Sequence, residues 1–300
     1  MPELAAAHRD LEVVGRRFFA LDDAAKADFD IRDSIGHRGW VPIDECGDYT
    51  DEGTRRYEAF DIGAPTTGCH RHVLDGPNHF PGDDFEHAVS AAWSILDDVT
   101  NSLLRAACAH LDVPNELLLQ HRTRPVSQLR LINYLPSDEP DTDKAAMGAH
   151  TDYELLTILY QSSPGIEVLD LNDGWITPDL EPGSALVIVG DALEVFSGGR
   201  FTSTMHRVVH GVETGRLSIP FFAAPDFDAV IEPVTGNDLD PLAFGHHLVR
   251  QLRRDFPYFD ALCHNRDLLN ATSDDLVIDL TDDRRLSRFE KERMRHAART

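Results

Sequence analysis

Three side chains able to ligate a transition metal, His150, Asp152 and His206, stand at spacings that ask for an explanation. Two imidazoles and one carboxylate on one face of an ion leave the opposite positions open, the ligand set of non-haem Fe(II) centres that activate O2. His150 and Asp152 bracket Thr151. On a strand, residues i and i+2 point to one face, so the two would project together while Thr151 turns away. His206 follows Asp152 after 53 intervening residues and must come in on a second strand. Arg216-Leu217-Ser218 lies just beyond. The same alternation puts Arg216 and Ser218 side by side, a guanidinium fork and a hydroxyl suited to a carboxylate. In a chain with 15 histidines a lone His-x-Asp is more simply a surface turn or a packed core histidine. Four elements in this order, between strand-like flanks, outweigh that reading.

Such a set needs strands to carry it, and the surrounding pattern supplies them. Gln128–Tyr134 reads as a strand, followed by a polar loop over Pro136–Lys144. Ile166–Leu171, the turn Asn172-Asp173-Gly174 and Trp175 read as a hairpin. Ala185–Val189 is a short apolar strand closed by Gly190-Asp191. Leu193–Phe196 leads to a Gly198-Gly199 turn, and Val208 opens the next strand. Many short strands with turns at this density predict a mainly β fold with flanking helices, a jelly roll or double-stranded β-helix whose two sheets enclose a site. Helical periodicity flanks this core. Leu11, Val14, Phe18 and Leu21 predict a helix over Leu11–Phe29. Phe85, Val89, Trp93, Leu96, Val99 and Leu103 form one apolar stripe of a helix over Phe85–Leu111, expected to back the sheet. Asp240-Pro241 resembles an N-cap with Pro at N1, opening a helix through Leu248 and Leu252 toward Phe256. From Arg284 onward a mixed-charge pattern suggests a solvated terminal helix.

The segment from Gly148 to Ser218 resembles the isopenicillin N synthase-like family of Fe(II)/2-oxoglutarate-dependent oxygenases. The marks are Gly148-Ala-His150-Thr-Asp152-Tyr-Glu-Leu-Leu156, Gly165-Ile-Glu-Val168, Asp173-Gly-Trp175, Pro182-Gly183, Gly190-Asp191, Ser203-Thr-Met-His206 and Arg216-Leu-Ser218. A looser likeness runs from about Arg38 to Tyr258. The resemblance implies Fe(II) held by His150, Asp152 and His206. It also implies 2-oxoglutarate as co-substrate, its distal carboxylate on Arg216 and Ser218, and O2 as oxidant. Halogenating relatives lack the carboxylate, so Asp152 implies hydroxylation, desaturation or ring formation. The family's Asn-x-Tyr-Pro reads Asn133-Tyr134-Leu135-Pro136 here. Asn133 is thus expected beside the co-substrate, with Tyr134 facing the other way. An Arg-Gly-aromatic stretch gives Arg38 a place near the substrate. Family members carry more residues before the position of Met1, so the expectation is either that the start is displaced or that something else, such as a second subunit, covers an exposed sheet edge. The expected layout is a helical, substrate-side region over 1–125, the jelly-roll core over 126–258 and an extension over 259–300, all one structural unit.

Composition narrows the partners. A net charge of −24 argues against nucleic acid and against an anionic membrane surface. No window is apolar enough to span a bilayer and the N-terminus carries no secretory signal, so a cytoplasmic location is expected. Cys46, Cys69, Cys108 and Cys263 have no C-x-x-C spacing and are read as reduced. Among other histidines, His210 shares the expected strand face of His206, His70 and His72 lie in a loop with no third ligand, and His246-His247 reads as helical. The expected substrate is a small organic molecule of secondary metabolism. Tyr153, Phe221 and Phe222 flank the site, and Arg38 or Arg130 is available for a substrate carboxylate. Three alternatives stay open on sequence: an Fe(II)/O2 oxidase without 2-oxoglutarate, separated by succinate release; a zinc hydrolase with the same ligands; and a double-sheet binding module indifferent to iron.

Overall fold

A computed structural model describes residues 2–45, 57–65, 72–136, 145–170, 174–181, 183–209, 215–234, 239–256 and 258–259. Expectations placed on His70, His210, Cys46, Cys69, Cys263, the 137–144 loop, the 171–173 turn and the segment after Arg284 fall outside these residues.

Twelve strands and five α-helices are described. The strands are β1 (Gly39–Val41), β2 (Tyr57–Gly63), β3 (Gln128–Tyr134), β4 (Ala145–His150), β5 (Leu156–Gln161), β6 (Ile166–Leu169), β7 (Trp175–Ile176), β8 (Leu186–Val189), β9 (His206–Val209), β10 (Arg216–Ala223), β11 (Val230–Ile231) and β12 (Leu242–Ala243). The helices are α1 (Pro2–Phe19), α2 (Asp23–Lys26), α3 (Asp83–His110), α4 (Asp191–Phe196) and α5 (Phe244–Asp255). The major sheet has the order β1-β2-β3-β10-β5-β8 and the minor sheet β4-β9-β6-β7. From β3 to β10 the chain crosses from one sheet to the other at nearly every step, the signature of the jelly roll. The hairpin expected at Trp175 is present, with Leu169 opposite Trp175.

Alternation assigns the two faces of the major sheet. Leu131 and Leu217 point outward, close enough to α1 that a side-chain carbon on Gly15 would meet both. Phe221, also outward, sits edge-on to Trp93 of α3 at 5.1 Å between ring centres. Phe18, Phe60 and Phe85 knit α1, β2 and α3 together. The opposite face of β3 and β10, bearing Arg130, Ile132, Tyr134, Arg216 and Ser218, therefore looks inward.

Two element boundaries and one helix face differ from the sequence expectation. The first helix begins at Pro2 and stops at Phe19, because Leu4 and Ala7 extend its stripe backward, while Asp22 caps a separate turn by accepting the N–H of Ala25. The fully buried row of α3 runs Leu96–Thr100–Leu104–Cys108, so Val99 and Leu103 lie at its margin. Asp240-Pro241 does not cap a helix. Leu242–Ala243 pairs with Val230–Ile231, and α5 opens only at Phe244.

Candidate metal and co-substrate site

His150 ends β4 and His206 begins β9, one residue directly across from the other in the minor sheet. Their rings lie 4.3 Å apart between centres. The pairing of β4 with β9 is irregular at two steps, which lets the strand end squarely on His150. Asp152 is not on that strand. It lies in the turn after it, so His150 and Asp152 converge through a bend and not through alternation. One ligand atom from each of His150, Asp152 and His206 falls within 4.8 Å of the others, and all three residues are buried.

Each member of the cluster is held by a neighbour. Nδ1 of His150 lies 2.8 Å from the carbonyl of Gly148, and Nδ1 of His206 lies 3.0 Å from that of Thr204. A ring nitrogen against a carbonyl carries the proton, which makes Nε2 of each ring the lone-pair nitrogen available to ligate. Oδ2 of Asp152 accepts a 2.5 Å hydrogen bond from the Thr157 hydroxyl, and Oδ1 stands 3.7 Å from Nε2 of His206. The cluster thus presents two imidazole nitrogens and one carboxylate oxygen to a common point, a donor set that fits a divalent metal.

The turn carrying Asp152 is pinned from behind. The N–H of Asp191 donates to the carbonyl of Asp152, and Asp191 is itself paired with His247 of α5 at 3.2 Å and with the Ser203 hydroxyl at 2.7 Å. A side-chain carbon on Gly190 would lie 2.2 Å from the carbonyl of Glu154, so only glycine permits this approach. The Tyr153 hydroxyl donates to Asp255, a second tie to α5.

On the inner face of the major sheet stands Arg216, 2% exposed. Its Nε donates to the carbonyl of Ser163, and Nη2 to Gln161 and to the Ser218 hydroxyl, the last at 2.8 Å. The guanidinium lies 4.7 Å over the ring of Tyr134. Nη1 is buried without a partner, and among the described residues no carboxylate pairs with the charge. Burial pushes this guanidinium below its ordinary pKa. A side-chain carbon on Gly165 would crowd the same Nη1 at 2.9 Å, so the glycine keeps that flank open. A buried, preorganised, incompletely bonded arginine fits the carboxylate of a dicarboxylic acid.

Asn133 is not brought to this cluster. Across from Leu217 it points outward, and its amide donates to Glu58. Tyr134, placed across from Arg216, faces inward instead; the phase of the alternation is set by pairing with β10, which no local pattern reveals. Thr157, Gln161, Asp191 and His247 are further neighbours that sequence reasoning missed. Thr157 left a signal as a polar residue inside the apolar run of β5, and Asp191 as part of the Gly190-Asp191 mark. Phe221 packs the core, Phe222 lies across from Thr157, and His72 stacks on Phe227. Arg130 is doubly bonded to Asp61. Arg38 donates to the carbonyls of Ala64 and Leu74 and to Asn78, so both expected carboxylate receptors already have partners. Glu154, beyond Tyr153, is buried; burial, then the charge of Asp152, pushes its carboxyl up to about 8. No described helix is long and apolar enough to cross a membrane.

Comparison with known proteins agrees with this geometry. The profile of the 2OG-Fe(II) oxygenase superfamily matches residues 126–225. A homoarginine-6-hydroxylase of Arabidopsis thaliana is 30% identical over 234 residues, which cover 74% of this chain and 70% of that protein. One from Glycine max is 28% identical, over 83% of this chain and 81% of its own length. The crystal structure of a 2OG-Fe(II) oxygenase family protein from Caulobacter crescentus superposes with a TM-score of 0.70 at 27% identity, covering 84% of this chain and 85% of that one. The relatives' names also include a 2-oxoglutarate-dependent dioxygenase of rice, 37% identical over 36% of this chain and 32% of its own length, so the oxidase alternative without 2-oxoglutarate is not favoured. The chain belongs to the 2OG-Fe(II) oxygenase superfamily and is an Fe(II)- and 2-oxoglutarate-dependent oxidoreductase that uses O2.

Proposed function

We propose that His150, Asp152 and His206 hold the Fe(II), that Arg216 with Ser218 holds the distal carboxylate of 2-oxoglutarate, and that the enzyme hydroxylates, desaturates or cyclises a small organic molecule of secondary metabolism. The observation that carries this is the convergence of three buried ligand atoms, each turned by its own hydrogen bond, beside a jelly-roll wall bearing an incompletely bonded arginine. When bound, Fe(II) supplies O2 activation coupled to decarboxylation of 2-oxoglutarate to succinate. The chain's own residues do the rest. The carbonyls of Gly148 and Thr204 keep the imidazoles in the ligating tautomer, Thr157 fixes the carboxylate rotamer, and Arg216 sets where the co-substrate ends. Asn133 has no part in it, since Glu58 holds its amide.

Anaerobic addition of Fe(II) and then 2-oxoglutarate to the apo-protein, followed by visible absorbance, is the test. A weak metal-to-ligand band that needs both additions and vanishes in Arg216→Ala is expected. Iron binding without a band would exclude the co-substrate assignment, and absence of iron binding would exclude the ligand assignment. The relatives' names run from homoarginine-6-hydroxylases to a gibberellin 3-beta-dioxygenase, so substrates are best screened by succinate release across both kinds of molecule. A cytoplasmic location and a second subunit against the β1 edge belong to the same reading. Fractionation and light scattering check them.

A further inference from the structure

A cavity of about 410 Å3 opens between the β2–β3 side of the major sheet, the loops around Gly36 and Pro125, and the inner face of α5. That is within the range of small-molecule pockets, roughly 300–1,000 Å3. Its wall includes Glu154, two residues beyond the metal-ligand candidate Asp152, so the cavity adjoins the turn that carries the proposed centre. Leu248, Leu252 and Trp93 make part of the wall apolar.

The charged groups of the wall fall into two kinds. Asp97 is bound by Arg122 at 2.6 Å. Arg38 donates to two carbonyls and Asn78, keeps Nε buried without a partner, and lies in the field of Asp75. Arg124 is exposed. Glu154 differs from Asp97. It is 5% exposed, one of its oxygens accepts the N–H of Tyr153, and among the described residues no cation pairs with it. A buried carboxyl in a cavity wall with no cation beside it is a place where a ligand can bring the counter-charge.

We infer that the substrate is a small molecule bearing a guanidinium or ammonium group, and that this group pairs with Glu154 while the carbon skeleton lies along Leu248, Leu252 and Trp93. The inference rests on the oxygenase reading above and adds the substrate class to it. A neutral isostere of such a substrate brings no counter-charge to Glu154, so discrimination on charge is expected at this carboxyl. The net charge of −24 draws cations toward the protein in general, while Glu154 selects among them at the site.

The full chain, loaded with Fe(II) and 2-oxoglutarate under argon, is titrated by calorimetry with matched pairs: L-arginine against L-citrulline, L-homoarginine against L-homocitrulline, and L-lysine against L-norleucine. At least one cation is expected to bind about tenfold or more tightly than its neutral partner. In Glu154→Gln that ratio is expected to fall to near one, and in Glu154→Asp to persist in part. Equal affinities within every pair, no binding of any cation, or an unchanged ratio in Glu154→Gln would overturn the inference. The wild-type ratio needs no variant, so misfolding of Glu154→Gln cannot hide a negative result. The visible band keeps the two levels apart. A band with no charge preference sinks the substrate class alone, whereas no band sinks the oxygenase reading beneath it.

Discussion

On the outer face of the major sheet, Glu58 takes a hydrogen bond from Asn133 on one oxygen and from Lys26 and Trp40 on the other, and Lys26 also reaches Asp23 at 3.0 Å. On the inner face, across from Tyr134, Arg216 keeps one nitrogen buried and unpartnered, and in the turn before β5 Glu154 has no cation among the described residues. Both regions bury charge at similar depth. The outer network closes on itself, which is what a structural polar cluster must do, because every unmet partner costs free energy. The inner groups stop short of closure, and the missing partners have the chemistry of a dicarboxylate and a cation. Burial alone does not distinguish these two regions; completeness of pairing does.

Paired substitutions on the two faces give the largest expected separation. Arg216→Ala should weaken 2-oxoglutarate binding by about 100-fold or more, from loss of a buried charged contact of roughly 3 kcal/mol, with little loss of thermal stability. Glu58→Gln should do the reverse. It leaves the Lys26 charge with only an exposed aspartate and is expected to cost about 3 kcal/mol of unfolding free energy while 2-oxoglutarate affinity holds. Denaturant titration and the visible band read the two effects. If Glu58→Gln weakened the co-substrate as much as Arg216→Ala does, the division between the faces would be wrong.

His8 sets a boundary on the comparison. Neither of its ring nitrogens has a partner, yet it lies in the layer between α1 and the sheet, stacked on Tyr160 at 4.8 Å. Burial holds its pKa down at about 4. Because the folded state resists protonation that the unfolded chain accepts, full stability is present above about pH 6.5 and is lost as pH falls toward 4, by about 3 kcal/mol. His8→Leu should flatten that slope in denaturant titrations across this window. An unchanged slope would show that the imidazole is solvated.

Smaller effects should grade the support of the metal ligands. Thr157→Val removes the hydrogen bond to Asp152 and is expected to lower Fe(II) affinity by roughly 10- to 100-fold. His247→Ala acts one step further back, through Asp191 and the carbonyl of Asp152, and should cost less, about a few-fold. Fe(II) titration of both variants checks the order; a larger loss in His247→Ala would mean that α5 holds the turn more firmly than Thr157 does.

Much of the site was legible in the chain before folding. The ligand types, their order and the Arg216–Ser218 spacing are local facts, and strand alternation delivered the last of these, since Arg216 and Ser218 do meet on β10. The jelly roll followed from short strands and dense turns. Other expectations failed where local rules lack information. Asp152 reaches the cluster by a bend beyond the strand end, and Asn133 and Tyr134 exchange faces relative to expectation.

The sequence by itself determined which atoms were available for chemistry, because ligand type, charge and spacing are written residue by residue. Only the tertiary structure decided which of those atoms converge and which are already partnered. Arg38, Arg130 and Arg216 are the same side chain in the sequence. Three acceptors hold the first but leave its Nε buried and unpartnered, Asp61 neutralises the second, and the third keeps Nη1 unpartnered on the inner face of the major sheet. Register between distant strands, and the burial that follows from it, made that distinction, and neither is encoded within the few residues around any one arginine.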